Sequence, residues 1–338
     1  MIIVLTADAT KQDADEILAE IERRGLKPLY MPGSERTVLG AIGNERVLGE
    51  LRLENHPKVE SVKPILSPYK LVTREVHPHD LVVDVGGVPI GGEHFTVIGG
   101  PCAVESLEQM RSTAQAVKEA GGKALRGGAF KPRTNPYSFQ GLGLAGLKIL
   151  KQVSDELGMP TFTEVVDPAD VDDVEEHASA FQVGARNMQN YGLLKRLGKS
   201  KLPVLLKRGM AAKIDDLLNA AEYILSEGNP NVILCERGIK TFETATRNTL
   251  DLNAVPVLKK RSHLPVIVDP SHGIGLREFV TPMALAAAAC GADGIIVETH
   301  VDPAHALSDG QQSLYPEQFA RLVESVRAVA TAVGKRMD

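Results

Sequence analysis

Between Arg126 and Phe139 the chain reads RGGAFKPRTNPYSF. Three cations, Arg126, Lys131 and Arg133, stand among Gly127, Gly128, Pro132 and Pro136, which make a poor helix, and the apolar content is too thin for a buried strand. A rigid cationic loop of this kind suits an anionic ligand, because a guanidinium offers a planar fork to phosphate or carboxylate. Further cations recur downstream, each just after a short apolar run: Arg186 in FQVGAR, Lys207 and Arg208 in PVLLKR, Arg237 in VILCER. A second set differs in type and comprises Cys102, His272, Glu298 and a later carboxylate. Thiolate, imidazole and carboxylate form a mixed donor set acceptable to zinc, iron, cobalt or manganese, although no CxxC-type spacing supports it. Cys235 and Cys290 read as small buried hydrophobes.

A repeat positions these residues. From His94 onward, eight apolar runs (FTVIGG, KALRGG, PTFTEVV, AFQVGA, PVLLKRG, VILCERG, PVIVDPSH, GIIVETH) alternate with amphipathic stretches such as SLEQMRSTAQAVKEAG and KIDDLLNAAEYILSEG. Runs of this type read as parallel strands buried on both faces. Eight βα units in roughly 240 residues have the rhythm of a TIM barrel, whose strand C-terminal ends all open on one face. Arg126, Lys131, Arg133, Arg186, Lys207 and Arg237 then converge on one mouth together with the neighbouring Arg208, and with Cys102, Glu236, Asp269, His272, Glu298 and His300. A charged residue after a strand is commonly only solvated, but at least six cations on one face of a net-acidic protein imply a ligand with several negative charges. The alternative is an open doubly wound sheet. No G-x-G-x-x-G turn follows a first strand, and GLGLAGL lies in the wrong context for one.

Residues 1–70 read as a separate small domain. MIIVLT is a strand. KQDADEILAEIERRG is a helix with Ile17, Leu18 and Ile21 on one face and Gly25 as its stop. PLYMPGSERTVLGAIG makes two strands around Pro32-Gly33, and RVLGELRLENHPKVESVKPIL a helix and a last strand. The β-α-β-β-α-β order predicts a ferredoxin-like α+β domain. Residues 71–93 are a linker and a β-hairpin, LVVDVGGVPIGG, and residues 94–338 the α/β barrel.

The chain has 338 residues and a net charge of -5, which argues against a nucleic-acid partner held by general phosphate attraction. Three widely spaced cysteines read as reduced thiols of a cytoplasmic protein. The N-terminus reaches acids within eight residues and lacks a basic region, unlike a signal peptide. No apolar run approaches the length of a membrane span.

The motifs GGPCAVES, RGGAFKPRTNPYSFQGLG, VGARNMQN, LLKRGM, CERGIKTFE, VDPSHGIG and ETHVDPAHALSDGQQSL, in that order, resemble those of 3-deoxy-D-arabino-heptulosonate 7-phosphate synthases from about residue 80 to the end. The resemblance implies a (β/α) barrel that condenses phosphoenolpyruvate with erythrose 4-phosphate, the first step of the shikimate pathway. It implies one divalent metal ion (Mn, Fe, Zn or Co) on Cys102, His272, Glu298 and Asp309. Phosphoenolpyruvate would be held by Arg126, Lys131 and Lys207 at its carboxylate and by Arg186 and Arg237 at its phosphate. Erythrose 4-phosphate would meet Arg133 and Thr134, with Asp302 near the sugar hydroxyls. Catalytic duty would fall to Lys131, His272 and Glu236, and which group handles the water's protons stays open among Glu236, His272 and a metal-bound water. One departure is Asn135, where similar sequences read KPRTSPYSF.

The related 3-deoxy-D-manno-octulosonate 8-phosphate synthases act on arabinose 5-phosphate and show an ANRSS-like turn, whereas Lys131-Pro132 here favours the four-carbon aldose. A non-catalytic, amino-acid-sensing barrel would need a broken cation or donor set, and every named position is intact. A metal-dependent aldolase would not need so many cations. The N-terminal domain resembles the ferredoxin-like (ACT-like) extension of some heptulosonate synthases, which implies feedback inhibition by Tyr or Phe and a homotetramer. It does not resemble a helical chorismate mutase.

Overall fold

The computed structural model describes residues 1–32, 36–63 and 68–337, the side chain of Glu45 excepted. It divides into two compact units, Met1–Pro78 and His79–Asp338.

The first unit is a four-stranded sheet with one long helix. Strand β1 (Ile2–Leu5) leads to α1 (Lys11–Arg23), β2 (Lys27–Pro32), β3 (Thr37–Ile42), α2 (Glu45–Glu50) and β4 (Val59–Lys63). The sheet order is β2-β3-β1-β4, and all three pairings are antiparallel. A capping box starts α1: Thr10 and Asp13 satisfy each other's backbone N–H. Its buried face is Ala14, Ile17 and Ile21, with Leu18 packed at the edge of the same cluster, and these meet Ile3, Leu5 and Leu39 of the sheet. This is the ferredoxin-like order that the sequence predicts. Gly33 of the expected Pro32-Gly33 turn, and Pro64 to Leu66 at the end of the expected last strand, lie outside the described residues.

The second unit opens with the hairpin of β5 (Val82–Val85) and β6 (Val88–Gly91). Gly86 and Gly87 both take left-handed φ, 56° and 88°, as a tight two-residue hairpin turn requires. Eight parallel strands follow, alternating with helices: β7 (Thr96–Gly100), α3 (Leu107–Glu119), β8 (Ala124–Arg126), α4 (Leu144–Leu157), β9 (Thr161–Glu164), α5 (Val171–His177), β10 (Ala180–Val183) and α6 (Tyr191–Gly198). Next come β11 (Val204–Lys207), α7 (Ile214–Ser226), β12 (Val232–Glu236), α8 (Ala254–Arg261), β13 (Val266–Val268), α9 (Pro270–Ile274), α10 (Arg277–Ala289), β14 (Gly294–Glu298) and α11 (Pro316–Ala332). The strands close into a barrel, β14 pairing with β7 from Gly294↔Thr96 to Glu298↔Gly100. The closed barrel, not the open sheet, is the fold.

The alternation of the strands fixes what each side chain can do. Ile98, Ala124, Phe162, Ala180, Leu205, Ile233, Cys235, Ile267 and Ile296 point inward and pack as one cluster with Val83, Val85 and Ile90 of the hairpin. The hairpin therefore plugs the end of the barrel where the strands begin. Side chains of opposite parity, such as Val97, Phe181 and Leu206, are buried outward, toward the helices. Two residues beyond an inward core position, the next inward side chain emerges at the opposite end. Arg126, Glu164, Gln182, Lys207, Arg237, Asp269 and Glu298 all hold that place.

If the hairpin is part of the barrel core, Ile90→Ala should lower the unfolding free energy of the protein by about 2–4 kcal/mol, the range for removing a buried Ile side chain. Urea denaturation at 25 °C checks it; a loss below about 0.5 kcal/mol would mean that the plug is dispensable.

Candidate active site

Four donor side chains meet at the mouth. Cys102 follows β7, His272 lies on α9, Glu298 ends β14 and Asp309 belongs to the loop before α11. One ligand atom from each lies within 4.8 Å of all the others. His272 Nε2 is 3.3 Å from Glu298 Oε1 and 3.8 Å from Asp309 Oδ2, and Cys102 Sγ is 3.4 Å from the latter. Asp269 orients the imidazole. Its Oδ1 accepts from the His272 backbone N–H at 2.9 Å, and its Oδ2 lies 2.7 Å from Nδ1. With Nδ1–H on Asp269, the Nε2 lone pair faces the other donors, the form in which imidazole binds a metal. Burial lowers the His272 pKa against the pull of Asp269 and Glu298, which favours that neutral form. Burial, then the Glu298 charge, push the Cys102 thiol up to about 11, opposed by Lys131 and Arg126. Burial also works against the Glu298 charge, but the Arg126 and Lys131 cations help hold that carboxyl below its usual range. A set of N, S and two O donors, its imidazole already turned by a carboxylate, fits a divalent ion such as Mn, Fe, Zn or Co.

Beside this group opens a cavity of about 400 Å³. Its lining includes Arg126, Lys131, Arg133, Arg186, Lys207, Arg237, Lys240 and Arg247, with Thr134, Asn135, Glu164, Gln182, Asn248, His272 and Asp309. The deepest cations are paired. Arg126 Nη1 donates to Glu298 Oε1 at 2.5 Å, Lys207 Nζ to Asp269 Oδ2 at 2.5 Å, and Lys131 Nζ lies 3.0 Å from both Cys102 Sγ and the Cys102 carbonyl. One edge is left over: Arg126 Nε is buried without a partner. Among the described residues Arg133, Arg186, Arg237 and Lys240 have no carboxylate partner, so the cavity selects for a ligand that brings its own negative charge.

The turn after β8 shapes the outer half. Arg133 Nε donates to the Phe139 carbonyl at 3.0 Å and Nη2 to Ser308 Oγ at 2.6 Å. Asn135 Oδ1 accepts from the Tyr137 backbone N–H at 2.9 Å, an Asx turn that a serine hydroxyl can also make. The departure from Ser at this position therefore keeps the turn.

Two residues that the sequence nominated lie elsewhere. Glu236 is fully buried outside the cavity lining, its Oε2 2.9 Å from Arg208 Nη1 and its Oε1 accepting from the Gly238 N–H at 2.6 Å. It has the outward parity on β12, as Arg208 has beyond β11, and the two pair behind the site. Asp302 is exposed and sits 2.7 Å from His305 Nδ1, also away from the lining. Conversely, Glu164, Gln182, Lys240, Arg247 and Asn248 line the cavity without having been singled out. The parity of the strands was a usable signal for Glu164 and Gln182. Lys240, Arg247 and Asn248 lie in an irregular loop with no period to read. Cys235 belongs to the barrel core, and Cys290 is half-buried at the end of α10.

Fold and site together define a (β/α)₈-barrel enzyme with a cation-lined cavity beside four side chains that could hold a metal ion. Residues 73–334 match the DAHP synthetase I family and residues 1–67 the DAHP synthase ferredoxin-like domain. The chain belongs to the DAHP synthetase I family. It is 50% identical over 338 residues to the phospho-2-dehydro-3-deoxyheptonate aldolase of Thermotoga maritima, covering all of both chains. A solved structure of that DAHP synthase superposes with a TM-score of 0.79 over 99% of this chain and 98% of the other, at 50% identity. A 2-dehydro-3-deoxyphosphooctonate aldolase of Bradyrhizobium is 33% identical over 279 residues, 76% of this chain and 96% of its own. Among the described residues no helix is long and apolar enough to cross a membrane.

With its pKa near 11 the Cys102 thiol carries a proton throughout the neutral range, and a metal ion must displace it. Mn²⁺ uptake by the metal-free protein should therefore release about one proton, and its Kd should fall about tenfold for each unit of rising pH between about 7 and 9. Calorimetry in buffers of different ionisation enthalpy reads both, and Cys102→Ala should abolish the pH slope.

Proposed function

We propose that the cavity seats phosphoenolpyruvate and erythrose 4-phosphate side by side and joins them into 3-deoxy-D-arabino-heptulosonate 7-phosphate with release of inorganic phosphate. The observation that carries this reading is the eight-cation cavity that shares His272 and Asp309 with the donor group. One phosphate alone would not call for so many cations; two phosphates and a carboxylate would.

In this reading Arg126, with its unpartnered Nε, Lys131 and Lys207 hold the carboxylate of phosphoenolpyruvate, while Arg186 and Arg237 hold its phosphate. Arg133, Thr134 and Asn135 take the phosphate of erythrose 4-phosphate. Pairing each anion with fixed cations removes the repulsion between the two substrates and sets carbon 3 of one against the aldehyde of the other, a proximity effect worth several kcal/mol. Cys102, His272, Glu298 and Asp309 would hold the divalent ion, whose chemistry as a Lewis acid is to polarise the aldehyde oxygen. Lys131 keeps its proton: burial opposes the charge, but the Cys102 sulfur and the carboxylates of Glu164 and Glu298 together more than restore it. Its Nζ is thus a charged donor on the floor of the cavity as negative charge builds on the aldehyde oxygen. As carbon 3 attacks, carbon 2 becomes electrophilic and takes up water, and phosphate leaves from the resulting tetrahedral carbon. The proton of that water goes to Glu164, the carboxylate that lines the cavity outside the donor group. Glu236, outside the lining, is a supporting residue, and no sugar contact is assigned to Asp302.

The N-terminal domain, residues 1–70 in this reading, is regulatory: Tyr or Phe binds it at the junction with a neighbouring subunit of a homotetramer and closes access to the mouth. The remainder, a linker, the hairpin and residues 94–338, is the catalytic part.

Phosphate release from phosphoenolpyruvate should occur with erythrose 4-phosphate and stop on adding a chelator; arabinose 5-phosphate is the discriminating control, because relatives of the octonate type match the barrel. Turnover on the five-carbon sugar alone would reverse the substrate assignment. Arg186→Ala should raise the KM for phosphoenolpyruvate about 10- to 100-fold, the loss of a charge-assisted hydrogen bond of about 1.5–3 kcal/mol. A chain beginning at about residue 79 should keep activity and lose inhibition by tyrosine and phenylalanine, and inhibition that survives the truncation would remove the regulatory role from the domain.

A further inference from the structure

Gln312 lies in the loop between Asp309 and α11, and its side chain is 2% exposed. Its Nε2 donates to Glu298 Oε2 at 2.6 Å, and its Oε1 accepts from Arg247 Nη1 at 2.8 Å. The direction of this amide is fixed by charge. Turned over, it would set its oxygen against a carboxylate and its NH₂ against a guanidinium, so only one of the two orientations makes both bonds. The other oxygen, Glu298 Oε1, faces Arg126 Nη1 and His272 Nε2. Gln312 thus holds the far oxygen of the carboxylate whose near oxygen joins the donor group.

Arg247 is itself well placed to hold the amide. Its backbone N–H donates to the Ile274 carbonyl at 3.0 Å, and Asn248 Nδ2 donates to the His272 carbonyl at 2.8 Å, which ties this part of the loop to α9. The same Nη1 also lies 3.3 Å from Asp309 Oδ1. Asp309 has a left-handed φ of 52°, an uncommon conformation for a residue with a side chain, and its loop is pinned by Arg277, which donates to the carbonyls of Gly310 and Ser313 at 2.7 and 2.5 Å.

We propose that Gln312 is a positioning residue for Glu298: it fixes the rotation of the carboxylate so that a single oxygen, Oε1, is offered to the metal, and Arg247 fixes the amide that does so. The proposal rests on the reading of Cys102, His272, Glu298 and Asp309 as the metal site. Without Gln312 the carboxylate is free to turn about its last torsion and to present either oxygen or both, and the donor group must be ordered by the ion itself.

The test uses the full-length, metal-free protein loaded with Mn²⁺ for affinity, by competition with a chromophoric chelator, and with Co²⁺ for its absorption spectrum. Gln312→Met keeps length and volume but has no donor. It should raise the Mn²⁺ Kd about 10- to 100-fold and change the Co²⁺ bands. Arg247→Met should alter the Co²⁺ bands in the same way, and the double variant should add no further spectral change. A purely packing role for Gln312 would lower the Tm while leaving Kd and spectrum as in the parent protein, and that result overturns the proposal. Gln312→Asn, which keeps the amide but is one methylene too short to reach Glu298, carries the test should Gln312→Met fail to fold. Cys102→Ala separates the two readings: if it binds metal as the parent does, the metal site itself is wrong, whereas if it does not, an unaltered Gln312→Met defeats the positioning role alone.

Discussion

Buried positive charge is the constraint that organises this molecule. Arg126, Lys131 and Lys207 stand close together at the end of a barrel, each less than a tenth exposed. Cations taken out of water need partners, or they lose their charge or unfold the site. Arg126 has Glu298, Lys207 has Asp269, and Lys131 has the sulfur and carbonyl of Cys102. These partners are also the donor group and its support, since Asp269 is the carboxylate that turns His272. Cavity and donor group are therefore one electrostatic network. A change to any member shifts the balance of both, and a carboxylate such as Glu298 stays ionised in a buried place because that network surrounds it.

The barrel supplies what such a network requires of a scaffold. Inward side chains are apolar where the hairpin closes the barrel and, on seven of the eight strands, polar or charged two residues later; on β7 that place falls to Gly100. One β-strand thus carries a piece of core and a piece of site on the same face, 6–7 Å apart along the strand. Rigidity follows: the charged ends cannot move without disturbing Ile98, Phe162, Leu205 and their neighbours, which are packed without exposure to solvent. The loops add what the strands lack, namely the outer cations Arg133, Lys240 and Arg247 and the carboxylate of Asp309.

The eight apolar runs and the β-α-β-β-α-β order made both domains legible in the sequence, because buried parallel strands and a capped amphipathic helix leave local signatures. The cation set at strand ends was legible for the same reason, as were Cys102, His272 and Glu298 through their types and their place at the predicted mouth, whereas Asp309 was legible only through a family motif. Glu236 shows where local reading stops. It follows the strand like the others, but its parity is outward, and a one-residue difference places it against Arg208. Asp302 shows a second limit, since a loop residue near a motif can face solvent. Arg247 and Gln312 show a third. Their importance comes from a bond between two loops 65 residues apart, and nothing within either loop announces it.

The plug formed by Val83, Val85 and Ile90 leaves the barrel with a single door. The buried ends of Arg126 and Lys207 therefore meet solvent only on the side where the strands end, in a cavity that Arg133, Thr134 and Asn135 also line. Whatever exchanges there does so past side chains of the same sign of charge, so the closed end gives the field of the cavity a direction as well as a depth.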